Sequence, residues 1–480
     1  MVSRTVLERL RDVGAVNTIN LASKRLDEKG EIKFQFLNLI NSKNKDWASA
    51  TELLTKYILD KVKIFTTKDD QKSEMWIYKD GVYIPQGRSE VKSILREILE
   101  EQYSSFVFGK VIDKIEPDTF IEADKFFSNN SKELMPVENG ILNIFTLELT
   151  PFTEEIIFFN KLPVKFDIDA TCPKIEKFLK DVLSNEEDIN VFYELAGFSL
   201  LKEYTFEKAF MLVGGGRNGK SKSILLLKKL VGPDNVCSVP LTSLSPNSFS
   251  VSELFGKLLN LAGDISNQDF KDTSTFKTAT GRDIVGAQRK FQRPINFHNY
   301  AKFVFACNDL PMVYDLSKGF WSRWVLLEFP YYFAEKEEYE RAPDKTYIKI
   351  KDPDIIDKIT TPEEMSGLLN QALIGLKRLI TNGDFSSTKG SEEVKSTWIR
   401  KANSFVAFCF DNIEEDSLGL ITKKDLRKRY SDYCKNHKVV TKSDVVIKNV
   451  MQCTYGASEE KKDIVGGLYE HVWLGVKWKA

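Results

Sequence analysis

Residues 209–232 read AFMLVGGGRNGKSKSILLLKKLVG, and this stretch decides which kind of sheet the chain builds. Phe210–Val213 is an apolar run that predicts a buried strand, while Ile224, Leu225 and Leu227 predict a helix that Gly232 closes. Between them, Gly214–Ser221 satisfies G-x-x-x-x-G-K-[ST]. Glycines let backbone N–H groups close around phosphate oxygens where a Cβ would obstruct them. The helix starting near Lys220 points its positive end at the same place. Lys220 then adds a full charge for the β- and γ-phosphates, and the Ser221 hydroxyl suits a Mg²⁺ shell. Strand, loop and helix in that order are what give the motif its specificity.

Two more apolar runs end at polar residues. KLLNLAGDI (257–265) places Asp264 at a strand tip, where a carboxylate either holds the metal or merely caps a turn. Gly263 precedes it, so no second adjacent acid is available to orient water; Asp269 and Asp272 lie nearby in a loop. KFVFACN (302–308) ends at Asn308, whose amide suits either a γ-phosphate sensor or a turn. In Phe320-Trp321-Ser322-Arg323-Trp324, Arg323 fits a transition-state phosphate or a stack on a neighbouring indole. Strands stopping at polar residues and separated by helices indicate an α/β fold with its chemistry at one sheet edge.

GGGRNGKS, LLNLAGDIS, FKTATGRDIVGAQRKF, AKFVFACNDLP and GFWSRWVLLEF, in this order, resemble superfamily 3 helicases of the phage, plasmid and poxvirus primase-helicase type. The resemblance implies an α/β, P-loop AAA+-like ATPase core, with an N-terminal α+β domain and a C-terminal winged-helix domain. It implies ATP and Mg²⁺ as cofactors, with Gly214, Gly215, Gly216, Arg217, Asn218, Gly219, Lys220 and Ser221 around the nucleotide. Ser221 and Asp264 would hold the metal, and Asn308 would be the first sensor. Arg323 would be a finger reaching the neighbouring subunit's nucleotide, and Lys277 a second basic residue reading it across the interface. GAQRKFQRP (286–294) resembles the family's DNA-tracking hairpin, with Arg289, Lys290 and Phe291 near its tip. A lysine grips phosphate without reading sequence and an aromatic stacks on any base, although a solvated turn with Phe291 packed inward is the competing reading.

The organisation expected on this basis is a helical segment at 1–65, an α+β domain at 66–185 and the ATPase core at 186–335. A linker with a helix at 336–395 and a winged-helix domain at 396–480 complete it. Asp80-Gly81 between alternating apolar residues predicts a hairpin. In the last unit Lys423, Lys424, Arg427, Lys428, Arg429, Lys435 and Lys438 fit either a phosphate-binding stripe or a solvated face.

Lys plus Arg and Asp plus Glu both total 69, so the formal charge is zero and a globally basic nucleic-acid binder is excluded. Hydrophobic residues at 42% and charged residues at 29% describe a folded chain. No apolar run reaches the roughly 18–20 residues that span a bilayer, and MVSRTVLERLRDVG has no signal-peptide core, so a cytoplasmic, membrane-free protein is expected. Six scattered cysteines and three histidines form no zinc pattern and suit buried thiols. The partners expected are single-stranded and forked DNA, further copies in a hexamer, and a primase or primase domain. Two alternatives remain: an ATP-dependent replication initiator that does not unwind, and the helicase part of a longer primase-helicase. Residues 1–65 are too short for a priming domain of their own.

Overall fold

Residues 27–68, 73–128, 131–245, 249–263, 270, 272–289, 294–313, 315, 317–387, 389–402, 404–437, 441–465 and 468–479 are described by the computed structural model of the chain. Asp264, Lys290, Phe291 and Lys438 lie outside them. Two units emerge, one of residues 1–130 with 152–159, the other of 131–151 with 160–480.

In the first unit, helices Glu28–Ile40 and Trp47–Lys61 start at Asp27 and Asp46, whose carboxylates accept from Gly30 N and Ser49 N. They pack with helices Gly87–Leu99 and Ser105–Asp118 on a sheet of β1 (Ile64–Thr67), β2 (Met75–Lys79), β3 (Val82–Ile84) and β4 (Phe120–Ile121). The strand order is β3-β2-β1-β4. Asp80 and Gly81, at φ 51° and 94°, make the tight turn between β2 and β3 that the Asp-Gly pair predicts. Phe36, Leu54 and Ile58 share one core with Ile77, Leu95 and Val111. The helices before residue 65 therefore share a core with the sheet that follows. Segment 152–159 returns to this unit, where Phe158 O and Glu154 O accept from Tyr83 N and Oη, each at 2.7 Å.

The second unit opens with an antiparallel sheet of β5 (Leu134–Val137), β6 (Gly140–Asn143) and β7 (Leu149–Thr150). Its centre is built from β8 (Ala209–Val213), β9 (Val236–Cys237) and β10 (Leu259–Ala262), then, after the hairpin β11 (Ile284–Ala287) and β12 (Ile295–His298), from β13 (Lys302–Cys307) and β14 (Trp324–Glu328). These five strands form a wholly parallel sheet in the order β14-β8-β13-β10-β9. Every residue of β8, β10 and β13 is buried, as strands covered on both faces must be. A strap follows, its strands β15 (Tyr332–Ala334) and β16 (Ile348–Ile350) paired in parallel.

Helices Glu186–Phe198 and Pro362–Asn382 pack against each other through glycine. A Cβ on Gly197 would sit 2.1 Å from Ala372 O, and one on Gly375 would sit 2.6 Å from Tyr193 O. Gly197→Ala is therefore expected to destabilise the unit by about 2 kcal/mol, because overpacking against backbone outweighs the ~1 kcal/mol gained in helix propensity. Gly109→Ala, in helix Ser105–Asp118 with nothing within 4 Å of the new methyl, is expected to be neutral or stabilising. Urea unfolding midpoints of the two variants check the contrast.

The chain ends in helices Ser391–Ala402 and Ser404–Asn412, β17 (Ile413–Thr422), helices Lys423–Asn436 and Asp444–Cys453, and the hairpin β18 (Ser458–Val465) and β19 (Leu468–Trp478). Phe405, Phe408, Tyr430, Met451 and Trp473 give this segment its own core. Val394 and Trp398 belong instead to the core of the parallel sheet. Five cysteines are buried as expected, and Cys453 is exposed. No helix among the described residues is long and apolar enough to cross a membrane.

Candidate functional site

The buried strand β8 carries the chain straight into Gly214–Ser221, so the loop leaves the sheet at its C-terminal edge. Gly214 cannot be anything larger: a Cβ there would lie 2.2 Å from Asn218 Nδ2 and 2.4 Å from Phe329 O. Gly219, at φ 95°, immediately precedes helix Lys220–Val231, and its Cβ would strike Val182 at 2.5 Å. Gly215 and Gly216 face open space instead. Arg217 holds φ 55°, a left-handed backbone that costs a non-glycine residue roughly 1–2 kcal/mol. Its carbonyl accepts from Phe333 N at 2.7 Å, which anchors that conformation.

Lys220 is 5% exposed. Its Nζ lies within hydrogen-bonding reach of Gly214 O, of Gly215 O at 3.0 Å, of Asn218 Oδ1 at 3.2 Å and of Asn308 Oδ1 at 3.1 Å. The ammonium thus folds back onto its own loop, with Asn308 brought to it from the end of β13. Ser221 is exposed in the first turn of the helix. A cavity of about 860 Å³ opens beside the loop. One wall is helix Pro173–Val182, which presents Lys174, Lys177, Phe178 and Asp181 at helical spacing; the other is Phe333 with Ile350–Pro353, Ile355 and Lys358. Glu364 accepts from Lys174 N at 3.2 Å and Ile175 N at 3.1 Å, capping the first wall's helix from a distant part of the chain. Lys349 joins the two walls, donating to Asp181 Oδ1 at 3.0 Å. A glycine-rich loop, a helix N-terminus and lysines thus converge on one cavity, a combination whose chemistry suits a polyanion.

Arg323 stands elsewhere. Its backbone carbonyl accepts from Ala209 N at 2.7 Å, at the start of β8, whereas the loop follows the end of that strand at Val213. Four residue steps, roughly 13 Å of strand, separate the two edges. Arg323 Nε donates to Thr280 Oγ1 at 3.0 Å, Nη2 pairs with Glu207 at 3.0 Å, and Nη1 donates to Gly319 O. Lys277, one turn before Thr280 on helix Ser274–Thr280, pairs with Asp315 at 3.0 Å. Burial pushes the Asp315 carboxyl up, but hydrogen bonds from Ser317, Thr273 and Lys277 outweigh it and hold the group well below the usual carboxylate range. The residues picked from sequence therefore fall into two groups, Lys220 and Asn308 at the loop edge, Arg323 and Lys277 away from it.

Arg289 follows β11 in the hairpin whose tip residues Lys290 and Phe291 are outside the described set. In the C-terminal segment, Lys423 pairs with Glu459, Arg427 with Asp444 at 2.8 Å, Arg429 with Asp425 at 3.1 Å and Lys435 with Asp432 at 3.7 Å. Among the described residues, four of these cations thus face neighbouring acids across exposed ion pairs. Sequence reasoning missed the cavity walls. The spacing of Lys174, Lys177, Phe178 and Asp181 was a usable signal, whereas nothing local marks Phe333 or Lys351 as neighbours of the loop.

Residues 212–323 match a family of unknown function, DUF5906, and residues 36–184 match a family described as D5 N terminal like. The chain is 24% identical over 325 residues to "Putative helicase L207/L206" of Acanthamoeba polyphaga mimivirus, covering 57% of this chain and 33% of that protein. It is 26% identical over 280 residues to "Putative helicase V13" of Sputnik virophage, covering 54% of this chain and 34% of that one. Among solved structures, the apo C-terminal region of NrS-1 aligns at 14% identity and a TM-score of 0.40, over 88% of this chain and 99% of that one. The chain spans about a third of the length of its curated viral relatives, and over more than half of its own residues it is similar to proteins named as helicases.

Proposed function

We propose that the chain is the motor of an ATP-dependent, ring-forming DNA helicase of superfamily 3 type. The observation that carries this reading is the separation of Lys220 and Asn308 from Arg323 across the parallel sheet. An arginine on the far edge cannot serve its own loop, but it is well placed to serve the loop of a neighbouring copy, where its fork of donors would meet transition-state phosphate oxygens. The strand order supports the assignment, because β13 lies between the loop strand β8 and β10, whose continuation bears Asp264. ATP would lie on the loop, with Lys220 charging its terminal phosphates. Mg²⁺ asks for one or two protein oxygens besides phosphate and water, and the exposed Ser221 hydroxyl is proposed as one. Asp264 is proposed as the second.

DNA would thread past the hairpin bearing Arg289, Lys290 and Phe291 and be moved by it. The helix–strand–helix–helix–strand–strand order from Ser404 onward suits a winged helix. The two viral relatives named as helicases support the unwinding function. Hexamer formation and a primase partner belong to the same proposal. The test uses the purified chain with a forked duplex: ATP hydrolysis stimulated by single strands, strand separation that requires ATP, and nucleotide-dependent assembly in sedimentation are expected. Hydrolysis without strand separation would favour the initiator reading, and absence of ATP binding would overturn the motor assignment.

A further inference from the structure

The loop residue Arg217 lines the cavity and also ties the loop to the strap. Its Nη1 donates to Tyr332 Oη at 3.1 Å and lies 3.5 Å from Glu338 Oε2, while Tyr332 Oη donates to Glu338 Oε1 at 2.8 Å. The carbonyl of the same residue accepts from Phe333 N. Two independent bonds, one from backbone and one from side chain, thus fasten the fourth residue of the phosphate loop to the strap. Across the strap, Tyr332 and Phe333 stand opposite Ile348 and Lys349 of β16. Phe333 and Ile350–Asp352 line the cavity, and Lys349 reaches Asp181 on the opposing wall.

Chemistry divides the cavity in two. Loop amides, Lys220 and the helix N-terminus suit the phosphates, while Phe178, Phe333, Ile350 and Ile355 give the remainder apolar faces of the kind a flat heterocycle packs against. Both partners of the Arg217–Glu338 pair are about half exposed, at 60% and 49%, so water competes for the pair and it is a reversible fastening rather than a rigid staple.

We propose that the strap is the nucleoside-holding wall of the site, and that Arg217 is a positioning residue which, through Tyr332 and Glu338, sets that wall's distance from the phosphate loop. This rests on the nucleotide reading of the loop and deepens it. An occupied loop and a closed wall support each other through this link, so the latch contributes to the affinity for a nucleoside triphosphate and not to that for a bare polyphosphate chain.

The experiment compares steady-state ATP hydrolysis, and its inhibition by inorganic tripolyphosphate, in the full chain and in Tyr332→Phe and Glu338→Ala. Each variant is expected to raise the KM for ATP about fivefold with kcat within twofold of the parent, as suits loss of one exposed, charge-assisted link. The tripolyphosphate inhibition constant stays unchanged, and the double variant has the highest KM for ATP, since each single change leaves Arg217 one of its two strap partners. A KM unchanged in both variants would overturn the latch. Parallel weakening of ATP and tripolyphosphate would overturn it too, by placing the effect on the phosphate loop itself. Failure of the parent chain to bind ATP would instead remove the nucleotide reading, so the two failures are told apart by the parent alone.

Discussion

Lys220→Ala is expected to lower ATP turnover by about a hundred- to a thousandfold, the loss typical of removing one preorganised donor from a developing charge. The geometry explains why no neighbour substitutes for it. The ammonium is buried, within reach of Gly214 O, Gly215 O, Asn218 Oδ1 and Asn308 Oδ1, so it is already aimed along the inner face of the loop. The other cavity cations, such as Lys174 and Lys177, stand on the helix forming the opposite wall. Lys220→Arg is expected to be nearly as inactive, because a planar fork does not fit where a compact ammonium meets converging acceptors. Steady-state hydrolysis at saturating ATP measures the loss. An unchanged circular dichroism spectrum assigns it to the site, and turnover within tenfold of the parent would remove Lys220 from the chemistry.

Arg323→Ala is expected to reduce turnover about a thousandfold, the lower end of what an arginine supplied to a phosphoryl transition state contributes. Its location makes a sharper claim about how the loss is distributed. Arg323 sits at the start of β14, on the edge of the sheet opposite the loop, where it pairs with Glu207 and donates to Thr280. Mixed in equal amounts, inactive Arg323→Ala and inactive Lys220→Ala chains are expected to recover activity. A Lys220→Ala subunit still offers its arginine to a neighbour whose loop is intact. If Arg323 acted within its own chain, each subunit of the mixture would remain deficient and no activity would return. Arg323→Ala also removes the contacts to Glu207 and Thr280, so fluorescence of the adjacent Trp321 and Trp324 serves as the folding control.

Much of the second unit was legible in the sequence because its signals are local. The left-handed φ of 95° at Gly219 is a local demand that glycine announces, although the contacts that forbid a Cβ at Gly214 and Gly219 also include the distant Phe329 and Val182. The apolar runs that became β8, β10 and β13 read as buried strands because a parallel sheet covered on both faces leaves no polar alternation. The Asp80-Gly81 turn was equally plain, since few residue pairs tolerate two successive positive φ values. The first unit's extent was not legible. Its boundary depends on Phe36 and Leu54 sharing a core with Leu95 and Val111, a choice made by packing partners rather than by any stretch of chain.

What the amino-acid order alone determined is the pieces with short-range causes: the glycine-rich loop between strand and helix, the strands that carry it, and the tight turns. Tertiary structure alone decided which pieces meet. It brought Asn308 to Lys220, kept Arg323 on the opposite sheet edge, and set acids beside several cations of the basic C-terminal helix. It also laid Tyr332 and Glu338 against Arg217, a contact spanning 115 and 121 residues. Backbone sterics and periodicity act over one or two turns of chain and so can be read along it. Encounters between distant side chains depend on how whole layers pack, and it is the parallel pairing of β14 with β8 that sets Arg323, just before β14, at the edge opposite the loop.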